Sequence, residues 1–332
     1  MNVMFTTYCN QRCCYCFGQD AMLGAGKIKA DREISKENLQ FVLDFIKRSG
    51  ENRINIIGGE PTLHPEFKKR YEQIEKVGIS VMIFSNCVMD EDTAIYLSKK
   101  SSLVSILLNI REPWEYSTED WNKIRTTLKY IKKVTLSFRI YRLGFNIRFL
   151  FNLIDGFGLR REINFAPAMP SLGTESRYLP LNKYSEMAKE MVRWSRESKK
   201  RKISWYTDNG FILCGFSKQG LRELRENVNF VPNVNCGAAV EVRPNLMTQR
   251  CFGMWGKKNE KPVSLKQFST LQEVHRYFDL CSLVIKRRYG ALNKCAGCAY
   301  FHDGTCGGGC MVYILKRLKN KPAIYNARIF SS

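Results

Sequence analysis

Val3-Met4-Phe5-Thr6-Thr7-Tyr8-Cys9-Asn10-Gln11-Arg12-Cys13-Cys14-Tyr15-Cys16 is the stretch on which the reading of this chain turns. A short apolar run, Val3-Met4-Phe5, leads into a loop in which Cys9, Cys13 and Cys16 are spaced C-x3-C-x2-C. One such loop can fold three thiolates around a single metal centre. A closed structural zinc site takes four ligands, and an ordinary iron–sulfur cube takes four cysteines. Three thiolates therefore predict an iron with a position left open to another molecule. A partial zinc site, or cysteines packed as small hydrophobes, is the alternative that the rest of the chain has to exclude.

The chain has 332 residues, enough to bury a sizeable core and to form one large domain plus a smaller one. Its first residues, MNVMFTTYC, lack a basic segment followed by an apolar one, and no uninterrupted apolar run reaches the length of a membrane span. A cytoplasmic protein with no membrane partner is expected. Thirteen cysteines without an export signal point to metal ligation rather than a disulfide framework. Four lie between Cys9 and Cys16 and seven between Cys236 and Cys310, which predicts two separate metal-binding regions. The formal charge of +22 favours an acidic partner through long-range attraction. A nucleic acid, an acidic peptide or an anionic metabolite would serve, and a merely solvated basic surface has the same charge. The basic runs Lys68-Lys69-Arg70, Lys199-Lys200-Arg201-Lys202 and Lys286-Arg287-Arg288 are not interleaved with aromatics, as a single-strand groove requires.

Hydrophobic periodicity orders the first half of the chain. After the connector Leu23-Gly24-Ala25-Gly26, a helix is predicted with Ser35 as N-cap, Leu39, Val42, Leu43 and Ile46 at helical spacing, and Gly50 at its end. A buried strand, Ile54-Asn55-Ile56-Ile57, then runs into Gly58-Gly59-Glu60-Pro61. Further helices are predicted over 65–77, 92–100 and 117–132, and strands over 79–84, 104–110, 134–141 and 161–167. Gly156 and Gly158 weaken a helix over 146–159. Strands alternating with helices imply a parallel sheet with ligands at the carboxyl ends of the strands. The cysteine loop, the Gly58-Gly59 turn and Ser85-Asn86 all fall at such ends.

The C-x3-C-x2-C loop with Tyr15 just before its third cysteine resembles the cluster loop of the radical S-adenosylmethionine (radical SAM) superfamily. The resemblance implies a [4Fe-4S] cluster on Cys9, Cys13 and Cys16 whose open iron is chelated by the amino and carboxylate groups of SAM. It also implies an α/β fold, a partial (β/α)6 TIM barrel, into which the six expected strands fit. Gly58-Gly59-Glu60-Pro61 resembles the motif that holds the SAM amino group: glycines let the backbone approach, and a carboxylate or carbonyl accepts from an ammonium. Ser85 and Asn86 stand where family members carry Ser/Thr-Asn-Gly near the ribose and methionine moiety, with Cys87 in place of the glycine. Ser137 and Arg139 alternate onto one strand face and suit the ribose hydroxyls and the carboxylate; a polar inner barrel face needs the same residues.

The second cysteine group, Cys236, Cys251, Cys281 and then Cys295-x2-Cys298-x7-Cys306-x3-Cys310, resembles a C-terminal SPASM or shorter twitch extension that binds auxiliary [4Fe-4S] clusters. The family usually has five residues where this chain has seven, Leu246 replaces an expected glycine, and no cysteine follows Cys310. Either Cys281 substitutes, giving two clusters with one open iron, or one auxiliary cluster is present. Taken by itself, the group also suits a zinc ribbon. Cys14, Cys87 and Cys214 are expected to be packed bystanders. Of the histidines, His64 and His275 show no ligand spacing and His302 is a conceivable extra ligand. The expected organisation is a barrel over 1–180, a helical bridging segment over 181–235 and a small cysteine-rich SPASM/twitch-like domain over 236–332.

The resemblance implies reductive cleavage of SAM to a 5′-deoxyadenosyl radical, which abstracts hydrogen from a substrate at the barrel mouth, with a low-potential flavodoxin- or ferredoxin-type donor supplying the electron. Many enzymes of this architecture modify ribosomal peptides by crosslinking, epimerisation or side-chain oxidation, and an acidic peptide suits a basic enzyme. The loop begins at residue 9, so leader recognition is expected from a separate protein or from Trp194, Trp205 and Tyr206 in the middle segment. A radical SAM dehydrogenase, an RNA-modifying enzyme and a zinc-dependent nucleic-acid-binding module are the alternatives. Asp208, Asp303 and Glu241 are candidate proton-transfer groups, with nothing in the spacing to choose among them.

Overall fold

The computed structural model describes residues 1–19, 22, 32–173, 175–237, 239–254 and 262–319; the connector Leu23-Gly24-Ala25-Gly26 lies outside them. Strands β1 (Asn2–Met4), β2 (Arg53–Ile57), β3 (Ser80–Ser85), β4 (Leu103–Ile110), β5 (Val134–Ile140) and β6 (Glu162–Pro167) alternate with helices α1 (Lys36–Arg48), α2 (Phe67–Lys76), α3 (Glu91–Ser98), α4 (Thr118–Tyr130) and α5 (Arg148–Phe157). All six strands pair in parallel in sequence order. Ser35 caps α1 by accepting from the Asn38 N–H, and Leu39, Val42, Leu43 and Ile46 are fully buried on its inner face. Each such side chain contributes roughly 1.5–3 kcal/mol. Helix α5 forms through Gly156, because Leu150, Phe151, Leu153 and Ile154 bury against the sheet, and Gly158 ends it. Tertiary packing there outweighs the low intrinsic preference of glycine.

Beyond β6 follow α6 (Tyr184–Lys200), β7 (Ser204–Thr207), α7 (Lys218–Val228), β8 (Glu241–Val242), β9 (Met247–Gln249), β10 (Val263–Ser264), α8 (Leu271–Arg288), α9 (Ala299–His302) and α10 (Met311–Lys319). Strand β7 joins β6 in parallel, and β8 joins the opposite edge beside β1, also in parallel, before β9 and β10 continue antiparallel. The sheet of ten strands thus draws on all three expected segments.

The pleat gives the sheet two faces. Val3 and Phe5 pack into the main core beneath the helices, whereas Met4 and Ile57 meet Phe252 with Phe17, Met22 and Phe84 on the other face. That inner face also carries a polar rung: register pairs Asn109 with Ser137, Ser137 with Asn164, and Asn164 with Tyr206. Of the expected leader anchors, Trp205 is buried and Trp194 half-buried. Both rings pack on Phe165, and the Trp205 indole N–H donates to Ser198 Oγ at 3.0 Å; of the three aromatics, Tyr206 alone is exposed.

Candidate active site

The cysteine loop leaves the carboxyl end of β1 and is met by the turn that leaves β2. Gly59 N–H donates to the Thr6 carbonyl at 2.9 Å and Glu60 N–H to the Tyr8 carbonyl at 2.7 Å. Glycine is required for this approach: a Cβ on Gly58 would stand 2.5 Å from Thr6 O, and one on Gly59 would stand 2.1 Å from Tyr8 O and 2.8 Å from Cys9 Cβ. The turn is therefore fitted against the base of the cysteine loop.

Glu60 itself points inward and is fully buried. Its carboxylate accepts from Ser85 Oγ at 2.9 and 3.0 Å, from the Asn86 N–H at 2.8 Å, and from the N–H and Oγ1 of Thr62 at 3.2 and 2.8 Å. Burial raises its pKa, and these donors oppose the rise. The carboxylate is thus committed to joining β2 to β3, leaving the backbone of the Gly58-Gly59 turn to face the loop. Asn86 carries the link onward: its Nδ2 donates to Asn10 Oδ1 at 2.8 Å and lies 3.9 Å from Cys9 Sγ.

The thiols of Cys9, Cys13 and Cys16 lie within electrostatic reach of one another. Desolvation pushes Cys9 up to about 12, and Glu60, Cys13 and Cys16 add to the rise. Burial pushes Cys13 up to about 11 against the Arg111 guanidinium beside it. Arg111, at the carboxyl end of β4, is a site residue that the motifs do not reveal. It is buried, bonds Gln11 Oε1 of the loop, and lies over the Tyr116 ring at 4.3 Å. A charged residue directly after a barrel strand is the signal that would have found it. Tyr15 is buried and stacked on Tyr141 at 5.1 Å, which fixes the loop just before Cys16.

On the inner face, Ser137 Oγ accepts from Asn164 Nδ2 at 3.1 Å, and Arg139 pairs with Asp208 at 2.9 Å. Of the other two candidate acids, Asp303 is an exposed turn residue accepting from the Thr305 N–H. Glu241 is buried on β8, in register with Asn2, and burial pushes it up to about 8, with Asp208 adding to the rise. His64 is committed to Ile34 O and the Glu66 N–H, and His302 to Ala296 O.

The second cysteine group divides into two sets. The thiols of Cys236 and Cys310 act on each other, which lowers Cys236 and raises Cys310, and Cys251 lies within electrostatic reach of both. Arg250, whose side chain is fully buried, braces this set: it donates to Cys236 O at 2.7 Å and to Phe278 O and Asp279 of α8 at 3.2 and 3.1 Å. Cys281 lies on that same helix. The other set surrounds Cys295, whose thiol is raised by burial and by Cys214, Cys306 and Cys298. Cys214, expected to be a bystander, is thus drawn into the cysteine-rich region by the turn after β7.

Among the described residues no three Cys, His, Asp or Glu side chains converge as a single metal ion would require. A [4Fe-4S] cube takes its thiolates at separate corners, and the loop of three thiols around one mouth, with donors from Gln11 and Asn86 beside Cys9, fits such a group.

Residues 3–143, from β1 to just past β5, match the model of the radical SAM superfamily. Over this part the chain is similar to the radical SAM superfamily. That superfamily implies a [4Fe-4S] cluster and SAM. Two crystal structures of SuiB from Streptococcus suis share the fold: one bound to S-adenosylmethionine (TM-score 0.65, 13% identity, covering 95% of this chain and 73% of that one) and one bound to precursor peptide SuiA (TM-score 0.66, 16% identity, 95% and 72%). At these identities the likeness is one of fold. No curated protein matches the chain, and among the described residues no helix is long and apolar enough to cross a membrane.

Proposed function

We propose that this radical SAM protein modifies a peptide, as a maturase of ribosomally made peptides, with Cys9, Cys13 and Cys16 holding the SAM-binding cluster. The observation that carries this reading is the seating of the Gly58–Glu60 turn on the base of the cysteine loop, at the carboxyl ends of β1 and β2. When bound, the cluster and SAM supply reductive cleavage of SAM and hydrogen abstraction from the substrate. The protein's own part is placement. The Gly58-Gly59 backbone would accept from the ammonium of SAM, and Asn86, Ser137 and Arg139 are the polar side chains that would hold its ribose and carboxylate. The inner-face residues Met4, Ile57 and Phe252 exclude water from below.

A peptide is supported by the likeness over 95% of the chain to a fold seen with a precursor peptide bound, and an acidic one by the charge of +22. In this reading residues 1–180 form the barrel, 181–235 bridge, and 236–332 form a SPASM/twitch-like domain with auxiliary [4Fe-4S] clusters on Cys236, Cys251, Cys281, Cys295, Cys298, Cys306 and Cys310. A low-potential flavodoxin- or ferredoxin-type protein supplies the electron, and a separate protein presents the leader.

The test is anaerobic. Reconstituted protein with dithionite and SAM should form 5′-deoxyadenosine, and a variant with Cys9, Cys13 and Cys16 all changed to Ala should not. An acidic peptide substrate deuterated at the reacting position should pass deuterium to the deoxyadenosine. Product formation unaffected by the triple change would refute the assignment, and deuterium transfer from RNA components instead would refute the peptide.

A further inference from the structure

The string Cys295, Cys298, Cys306, Cys310 does not stay together in space. Cys310 acts electrostatically on Cys236 and Cys251, whereas the thiols that act on Cys295 include Cys298 and Cys306 but not Cys310. A cube on Cys295, Cys298 and Cys306 takes one further protein ligand. Cys214 reaches the same group from a different part of the chain. It sits in the turn Leu213–Gly215 between β7 and α7 and is one of three thiols acting electrostatically on Cys295, the others being Cys306 and Cys298.

Packing seats that turn independently of any charge. A Cβ placed on Gly309 would lie 3.1 Å from Ile212 Cγ2 and 3.1 Å from Ala291 Cβ, so the residue entering the turn presses on the backbone between Cys306 and Cys310. The Ala291 N–H donates to Gly308 O at 2.7 Å, and a Cβ on Gly290 would meet Cys295 Sγ at 2.3 Å. Three segments, 212–215, 290–298 and 306–309, are therefore packed on one another with Cys295 and Cys306 buried, Cys298 half-buried and Cys214 on the outer side.

We propose that Cys214 is the fourth thiolate of an auxiliary [4Fe-4S] cluster whose other ligands are Cys295, Cys298 and Cys306. The inference rests on the cluster-binding reading of the C-terminal segment given above. It ties the turn after β7 directly to the cysteine-rich segment, and it leaves Cys236, Cys251 and Cys310 as a second set with a position for Cys281 or an outside ligand. Each ligating thiol gives up its proton to solvent on loading.

The test uses the full chain with Cys9, Cys13 and Cys16 changed to Ala, so that only auxiliary iron is counted after anaerobic reconstitution. Iron, acid-labile sulfide and the low-temperature EPR spectrum of the reduced protein are compared with and without Cys214→Ser, beside Cys298→Ser. The expected result is that both serine variants lose one cluster's worth of iron, or show the same altered EPR signal, with unchanged far-UV circular dichroism. Iron and EPR unaffected by Cys214→Ser, while Cys298→Ser loses them, would overturn Cys214 as a ligand and leave the auxiliary cluster standing. A parent that binds no iron, or binds zinc instead, overturns the cluster reading and with it this inference. Alkylation followed by mass spectrometry gives a second readout on the unmutated protein: Cys214 should be protected when loaded and react once the clusters are stripped. Equal rates in the two states would refute the proposal.

Discussion

The Glu60 carboxylate accepts the Asn86 backbone N–H at 2.8 Å, so the turn after β2 and the turn after β3 are held together by one buried acid. Three further donor groups, Ser85 Oγ and the N–H and Oγ1 of Thr62, point at the same two oxygens. In Glu60→Gln an amide N–H₂ would face donors, leaving buried groups unpaired. The expected loss is about 1–3 kcal/mol, read as a lower urea midpoint, together with slower formation of 5′-deoxyadenosine. An unchanged midpoint would show that the network does not hold the two turns.

Gly59→Ala should act on the cluster loop rather than on the fold. Its Cβ would fall 2.1 Å from Tyr8 O and 2.8 Å from Cys9 Cβ, and neither atom is the end of a flexible side chain. The loop must shift. After reconstitution the variant should hold one cluster's worth of iron less, with its thermal midpoint little altered. Gly156→Ala is the control: nothing lies within 4 Å of its Cβ, and in the interior of α5 it should stabilise by about 0.5–1 kcal/mol. Equal iron in the two variants would show that Gly59 is not needed for the approach.

Arg111 offers a test of a residue that no motif marks. Its guanidinium sits beside Cys13, opposes the effect of burial on that thiol, and bonds Gln11 Oε1. Arg111→Met keeps much of the volume but removes the charge, so the thiolate that an iron needs becomes harder to form. The variant should lose iron to a chelator severalfold faster than the parent. Chelation at the parent's rate would show that the guanidinium only packs.

The barrel was legible in the sequence because period and position agreed: the first three apolar runs led into the cysteine loop, the Gly58-Gly59 turn and Ser85-Asn86. Two departures from the family pattern were legible as substitutions but not in their consequence. Cys87 and Leu246 stand where glycines were expected, and both keep a left-handed backbone, with φ of 57° and 65°; the turns persist and the side chains bear the strain. The partners within the cysteine group were not legible, since spacing along the chain cannot show that Cys310 leaves its string for Cys236 while Cys214 approaches from the β7–α7 turn. The surroundings of Trp194 and Trp205 were illegible for a related reason: only the ring of Phe165, distant in the sequence, takes Trp205 into the core and half-buries Trp194.

Glu241 gives the chain a pH dependence whose sign follows from its surroundings. The residue is buried on β8 and its Oε2 has no hydrogen-bond partner among the described residues. The groups facing it are the Phe252 N–H, the Gln249 amide and Arg243, which lower its pKa, and Asp208, which adds to the rise; burial dominates and pushes it up to about 8. An unfolded glutamate titrates near ~4.3. Between those values the folded chain keeps a proton that the unfolded chain has lost, so stability is fully present below the lower value and falls as pH rises through the upper one. The full window is worth at most about 5 kcal/mol at roughly 1.4 kcal/mol per unit. Glu241→Gln cannot ionise and lacks this slope. With clusters loaded anaerobically in both proteins, the urea midpoint of the parent should fall relative to that of the variant from pH 5 to pH 8, the gap widening steadily with pH. Midpoints that run parallel across that range would show that Glu241 is ionised in the folded chain and that the inner face of β8 is wetter than its burial implies.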